Sequence, residues 1–152
     1  MNATQGLAMA VIGSDPKAIK DALQALLSLN DSVAPYSGLL LERVMRKSPD
    51  AGGGGIWFDG KAYAADDFDG LSNMQVALKL APCRDDVPCE LDTTMMTSCL
   101  SGNPCADTRE QYLKQVYVER GGMTEAQFSQ AVALGGRLRQ VVANQEVGAF
   151  IR

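Results

Sequence analysis

Apolar residues along this chain recur at helical spacing in five to six segments and alternate at strand spacing in one. Ile19, Ala22, Leu23, Leu26 and Leu27 fall on one stripe, with Asp15 placed as N-cap, Pro16 at the first helical position and Asn30-Asp31-Ser32 as the stop. A second helix is predicted from about Ser37 to Lys47, turning Leu40, Leu41 and Val44 inward, and Ser48-Pro49-Asp50 ends it. A third covers Leu71 to Leu80, with Met74, Ala77 and Leu78 on one side, Asp69 or Ser72 as cap and Pro82 as terminator. Asp92 to Cys99 reads as a short helix capped by Asp92. Asp107-Thr108-Arg109-Glu110 has the form of a capping box with Asp107 in the capping role, opening a helix whose apolar side is Tyr112, Leu113, Val116 and Tyr117. Thr124 to Gln127 opens the longest helix, whose stripe of Phe128, Ala131, Val132, Leu138, Val141 and Val142 is interrupted by Gly135-Gly136, the mark of a close crossing or a kink. Residues 1–13 read as an N-terminal arm or a short first helix, and the last residues either fray or dock Phe150.

The strand signal is Ile56-Trp57-Phe58-Asp59-Gly60-Lys61-Ala62-Tyr63. Asp-Gly is a favoured pair for a two-residue type I′ turn, and that turn pairs Phe58 with Lys61, Trp57 with Ala62 and Ile56 with Tyr63. Ile56, Phe58 and Tyr63 then share one face and Trp57 takes the other. Such a hairpin is either covered on both sides or keeps one face for a partner. The glycine run Gly52–Gly55 just before it is a loop, a hinge or a point of close approach. It leads into a strand rather than into Lys-Ser or Lys-Thr and a helix, so it is not a phosphate loop.

Four cysteines stand within 23 residues as Cys83, Cys89, Cys99 and Cys105, in two heptapeptides of the form C-x4-P-C sixteen residues apart. Neighbour pairing (83–89 with 99–105), nested pairing (83–105 with 89–99) and crossed pairing (83–99 with 89–105) are all open. Loop entropy separates them by only about 1 kcal/mol. The proline before each second cysteine favours a turn that suits neighbour pairing, whereas nested pairing would clip the segment between into a hairpin. The rival use is a metal site, for which the gaps are too long to match zinc knuckles or ferredoxin spacings. Disulfides place the chain in an oxidising compartment, the periplasm or the cell exterior with a leader removed; the cytoplasm is the alternative.

Composition narrows the chemistry. The 152 residues are 46% hydrophobic and 21% charged, the balance of one globular domain over 1–152 with a cysteine-braced segment at 83–105. The net charge of -4 argues against nucleic acid as partner, and Arg43, Arg46 and Lys47 suit a helix end. No run is long and apolar enough for a transmembrane segment. With no histidine in the chain, no Ser-His-Asp triad, Cys-His pair or histidine metal site can be built from it. Catalysis would fall to carboxylates such as Glu42, Asp59, Asp66, Asp67, Asp69 and Glu90, or to Ser28 or Ser48 beside Lys47, and no spacing selects among them. Asp66, Asp67 and Asp69 miss the EF-hand pattern for calcium.

The fold class expected is therefore mainly α: a bundle of five to six short helices, one β-hairpin and a disulfide-braced segment. The function expected is a small exported protein that binds, inhibits or assists another protein through a rigid surface, with no cofactor or metal. Its partner-binding residues are Trp57, Tyr63, Gly53 and Gly54, in a contact region joining the glycine loop, the hairpin and the cysteine segment; self-association is open. The alternatives are a carboxylate-based hydrolase, with two convergent acids of which one has a raised pKa, and a cytosolic regulator with four thiolates on a metal.

Overall fold

A computed structural model describes residues 1–83, 89 and 93–152. Pro88, the capping role of Asp92 and the candidate carboxylate Glu90 lie outside the described residues. Within them the chain is mainly helical, with seven helices, one antiparallel hairpin and two disulfides. Packing divides it into two compact units, Met1–Leu71 with Arg137–Arg152, and Ser72–Gly136.

In the first unit, the opening residues form helix α1, Ala3–Gly13. Asn2 accepts from the Gln5 backbone N–H while the Gln5 side chain accepts from the Asn2 N–H, a reciprocal cap that closes the N-terminus. Leu7 and Val11, four apart, point inward. Helix α2, Pro16–Leu27, starts where Asp15 and Pro16 predict, and the Asp15 carboxylate accepts from Lys17 N–H at 3.2 Å. It buries Ile19, Leu23, Leu26 and Leu27 and packs on α1.

Helix α3 begins at Leu40, later than the predicted Ser37, and runs to Lys47. A 3₁₀ stretch, Ala34–Leu39, occupies the gap, and it breaks because Gly38 (φ 58°) and Leu39 (φ 62°) are both left-handed. Leu40, Leu41, Val44 and Met45 of α3 are buried. Strands β1, Ile56–Phe58, and β2, Lys61–Tyr63, pair in the predicted register, Ile56 with Tyr63, Trp57 with Ala62 and Phe58 with Lys61. Positive φ at Asp59 (50°) and Gly60 (83°) is what a type I′ turn requires. Strand β1 packs on α3. The C-terminus closes over the hairpin: Asp59 N–H donates to the Ala149 carbonyl at 2.8 Å, and the Phe58 and Phe150 rings meet at 5.5 Å between centroids. Phe150 therefore docks rather than frays.

Helix α4, Phe68–Leu80, starts earlier than predicted. Its cap is Asp67, whose carboxylate accepts from Gly70 N–H at 2.9 Å, and not Asp69 or Ser72. In the second unit, Val76 and Leu80 of α4 join Leu113, Phe128 and Ala131 in a core edged by Tyr112, Tyr117 and Val132. Helix α5 spans Thr93–Leu100. Helix α6, Arg109–Lys114, is capped one residue later than expected: the Thr108 hydroxyl accepts from Gln111 N–H at 3.2 Å, while Gln111 Oε1 accepts from Asp107 N–H at 2.7 Å. One turn of π-helix, Gln115–Glu119, continues α6. Helix α7, Glu125–Ala143, opens at Thr124–Gln127 as predicted, and there Thr124 and Gln127 form a reciprocal cap. Gly135 on α7 is the close crossing, since a Cβ there would lie 3.1 Å from the Ala77 carbonyl of α4.

Neighbour pairing is the one found: Cys83 with Cys89 and Cys99 with Cys105, with Cα atoms 4.9 and 4.6 Å apart, within the ordinary disulfide range. Nested and crossed pairing are thereby overturned.

Phe150 joins the C-terminus to the hairpin, so Phe150→Ala is expected to cost about 3–5 kcal/mol in urea unfolding, as for other buried Phe truncations. A loss below about 1 kcal/mol would show that the hairpin stands without this contact.

Candidate functional site

The glycine loop and hairpin carry the residues that the chain's pattern marks for a partner. Gly52 (φ 70°) and Gly54 (φ 76°) take left-handed backbone. Gly55 is buried, and a Cβ on it would stand 2.5 Å from both the Ala51 and Tyr63 carbonyl oxygens. Gly53 faces open space. Arg46 Nη1 donates to the Gly54 carbonyl at 3.1 Å and ties the loop to α3. The run is thus a close passage of backbone within the fold, with Gly53 and Gly54 exposed at its outer side.

Trp57 is only 5% exposed and Tyr63 7%. All three residues of β1 are buried while Lys61 and Ala62 of β2 are exposed, so the Trp57 ring is a packing element of the fold. It pairs with small Ala62 across the strands, and the Arg152 guanidinium lies 5.6 Å from its ring centre. Lys61 Nζ sits 4.7 Å over the Tyr63 ring. Burial, then the Asp67 and Asp59 charges, push the Tyr63 hydroxyl pKa up. The cysteine segment that was expected to join this contact region belongs to the other unit.

At the hairpin tip, Arg137 forks onto Asp59, with Nε to Oδ2 at 2.7 Å and Nη2 to Oδ1 at 3.0 Å. Arg137 Nη1 also reaches Gln140 Oε1 at 3.2 Å and Glu146 Oε2 at 3.5 Å. The hydrogen bond from Arg137 holds the Asp59 carboxyl below the usual carboxylate range, and Asp59 in turn raises Arg137. A shallow depression of about 440 Å³ lies beside this pair, lined by Trp57, Asp59, Gly60, Glu146 and Arg152. It holds two carboxylates, but both share one arginine, and the Asp59 shift runs opposite to that of a general acid. Of the other candidate acids, Glu42 is paired with Arg46 at 2.9 Å, Asp67 caps α4, and Asp66 and Asp69 are exposed.

Lys47 donates to Ser14 at 2.7 Å, on the cap of α1, and not to Ser28 or Ser48. Ser28 donates to the Gln24 carbonyl at 2.7 Å, and the Ser48 hydroxyl is buried without a partner. Both Lys47 and Ser14 are exposed. All four cysteine sulfurs are bonded to one another, which overturns the four-thiolate metal centre. Among the described residues no other cluster of three metal-ligating side chains occurs.

The second unit contains a cleft that the sequence pattern did not single out. It has a volume of about 310 Å³, with Lys79, Arg109, Tyr112, Leu113, Val116 and Tyr117 in its wall. Arg109, Tyr112, Leu113 and Val116 follow one another at three, one and three residues, so they share a helical stripe. A charge at the head of an apolar stripe is the signal that could have found it. Arg109 Nη1 donates to the Lys79 carbonyl at 3.1 Å, and its Nε is buried without a partner. Lys79 Nζ stands 5.6 Å from the Tyr117 ring centre and 3.5 Å from its hydroxyl.

Comparison with protein-family models, curated proteins and solved structures finds no match to this chain.

The roles of Gly53 and Gly55 separate by substitution. Gly55→Ala is expected to lose about 1–3 kcal/mol in chemical denaturation, because its methyl meets two carbonyl oxygens. Gly53→Ala should stay within about 0.5 kcal/mol of the wild type. Equal losses at both positions would refute the close-passage account of the loop.

Proposed function

We propose that this chain is a small exported protein that holds another protein on a rigid, preformed surface and carries no catalysis of its own. The observation that carries this reading is the outer face of α1. From Gly6 to Gly13 that helix has no polar side chain at all. Leu7 and Val11 fill its inner face, yet Met9 is 60% and Ile12 73% exposed on the other side, three residues apart. A helix at a protein surface normally turns polar residues outward, and one that is apolar all round is normally buried. A second covering element on Met9 and Ile12 answers the difference.

The helix is also held in place before any partner arrives. Its N-terminus has the Asn2–Gln5 reciprocal cap, and at its C-terminus left-handed Ser14 donates its N–H to the Ala10 carbonyl at 3.1 Å while accepting from Lys47. A surface fixed in this way loses little conformational freedom on binding. The two disulfides support the exported setting, since such bonds form and persist in oxidising compartments. The hydrolase reading has no comparable support, because the acid best placed beside a depression, Asp59, is shifted toward a lower pKa.

Site-directed photo-crosslinking tests the reading in producing cells. A crosslinker at Ile12 is expected to yield a discrete adduct with another protein, and one at exposed Lys20 on α2 is not. Met9→Lys should abolish the Ile12 adduct while changing stability by less than about 0.5 kcal/mol, as an exposed substitution does. No adduct at Ile12, or the same adducts from both positions, would overturn it.

A further inference from the structure

We propose that the cleft of the second unit binds a small aromatic carboxylic acid, a role separate from the protein surface on α1. Its volume of about 310 Å³ sits at the lower end of the range for small-ligand pockets, the size of one ring with a short acidic arm. The chemistry of its wall is divided in the way such a ligand requires. Leu113 and Met95 are buried apolar side chains that supply a floor, and Val116 adds an apolar side. Tyr112 and Tyr117 are half-buried, so each presents a ring to the interior.

At the rim stand two cations, Lys79 and Arg109, and among the described residues neither has a carboxylate partner. Lys20, Arg43, Lys47 and Lys61 likewise have no carboxylate partner among the described residues, so what marks Lys79 and Arg109 is that both line the same apolar cleft. Among the described residues Arg109 Nη1 donates to the Lys79 carbonyl, which fixes the guanidinium against the end of α4, and Nε is buried without a partner. Lys79 Nζ rests near the Tyr117 ring and hydroxyl, with room to turn to an anion. Two cations meeting over an apolar floor, neither paired with an acid among the described residues, favour a single carboxylate.

A second feature supports a site here. Val116 and Tyr117 enter the cleft from the π-helical turn Gln115–Glu119. Such turns are rare, are less well bonded than α-helix, and concentrate where a side chain must be re-aimed for function. Gln115 Oε1 on this turn is buried without a hydrogen-bond partner, which costs free energy.

The test uses the full chain with its disulfides intact and phenylacetate as probe, followed by titration calorimetry and by NMR shifts of Leu113 and Tyr117. Phenylacetate is expected to bind with a dissociation constant of about 0.1–1 mM, as suits so small a ligand. Phenylacetamide, which keeps the ring and loses the charge, should bind at least about tenfold more weakly, and so should phenylacetate to the exposed-site variant Lys79→Gln. Absence of binding at about 10 mM, or equal affinity for acid and amide, would overturn the proposal.

Discussion

Two strands of three residues with apolar side chains on both faces cannot persist in water by themselves. The need to cover them organises the first unit. Helix α3 lies against β1, and the C-terminal segment returns to place Phe150 on Phe58 and the Ala149 carbonyl on the Asp59 N–H. The Arg137 fork then anchors the turn from α7. Because β1 is buried along its length, Trp57 is part of the packing, and because the backbone at Gly55 passes so close to Ala51 and Tyr63, position 55 has no room for a side chain.

What was legible in the sequence was what short-range chemistry decides. Asp59-Gly60 admits essentially one tight turn, so the hairpin register was readable to the residue. Asp15-Pro16 and the Thr124–Gln127 pair were readable for the same reason, since each cap is completed within four residues. Where several equivalent residues compete, local chemistry does not choose. Asp66, Asp67 and Asp69 all suit a cap, and the one used is Asp67; Asp107 and Thr108 compete at α6, and Thr108 takes the role. The start of α3 was misplaced because left-handed Leu39 is not a residue that announces such a conformation.

Long-range facts were less readable. A hairpin with two apolar faces looks the same in sequence whether Trp57 meets a partner or its own C-terminus. The pairing of four clustered cysteines differs by only about 1 kcal/mol of loop entropy among its three forms, so geometry had to choose. The cleft depends on α4, α5, α6 and the π turn converging, which no single stretch encodes. Its charges come from separate elements, Lys79 from α4 and Arg109 from α6, and neither has an acid among the described residues.

The central claim is a braced, preformed scaffold that lives in an oxidising compartment, and the state of its cysteines tests it most directly. The protein would be taken from the cells that naturally make it, with thiols blocked at lysis, then digested without reduction and mapped by mass spectrometry. The account predicts peptides joined as Cys83–Cys89 and Cys99–Cys105 and no blocked thiol. Four blocked cysteines, or peptides joined in the nested or crossed pattern, would contradict it.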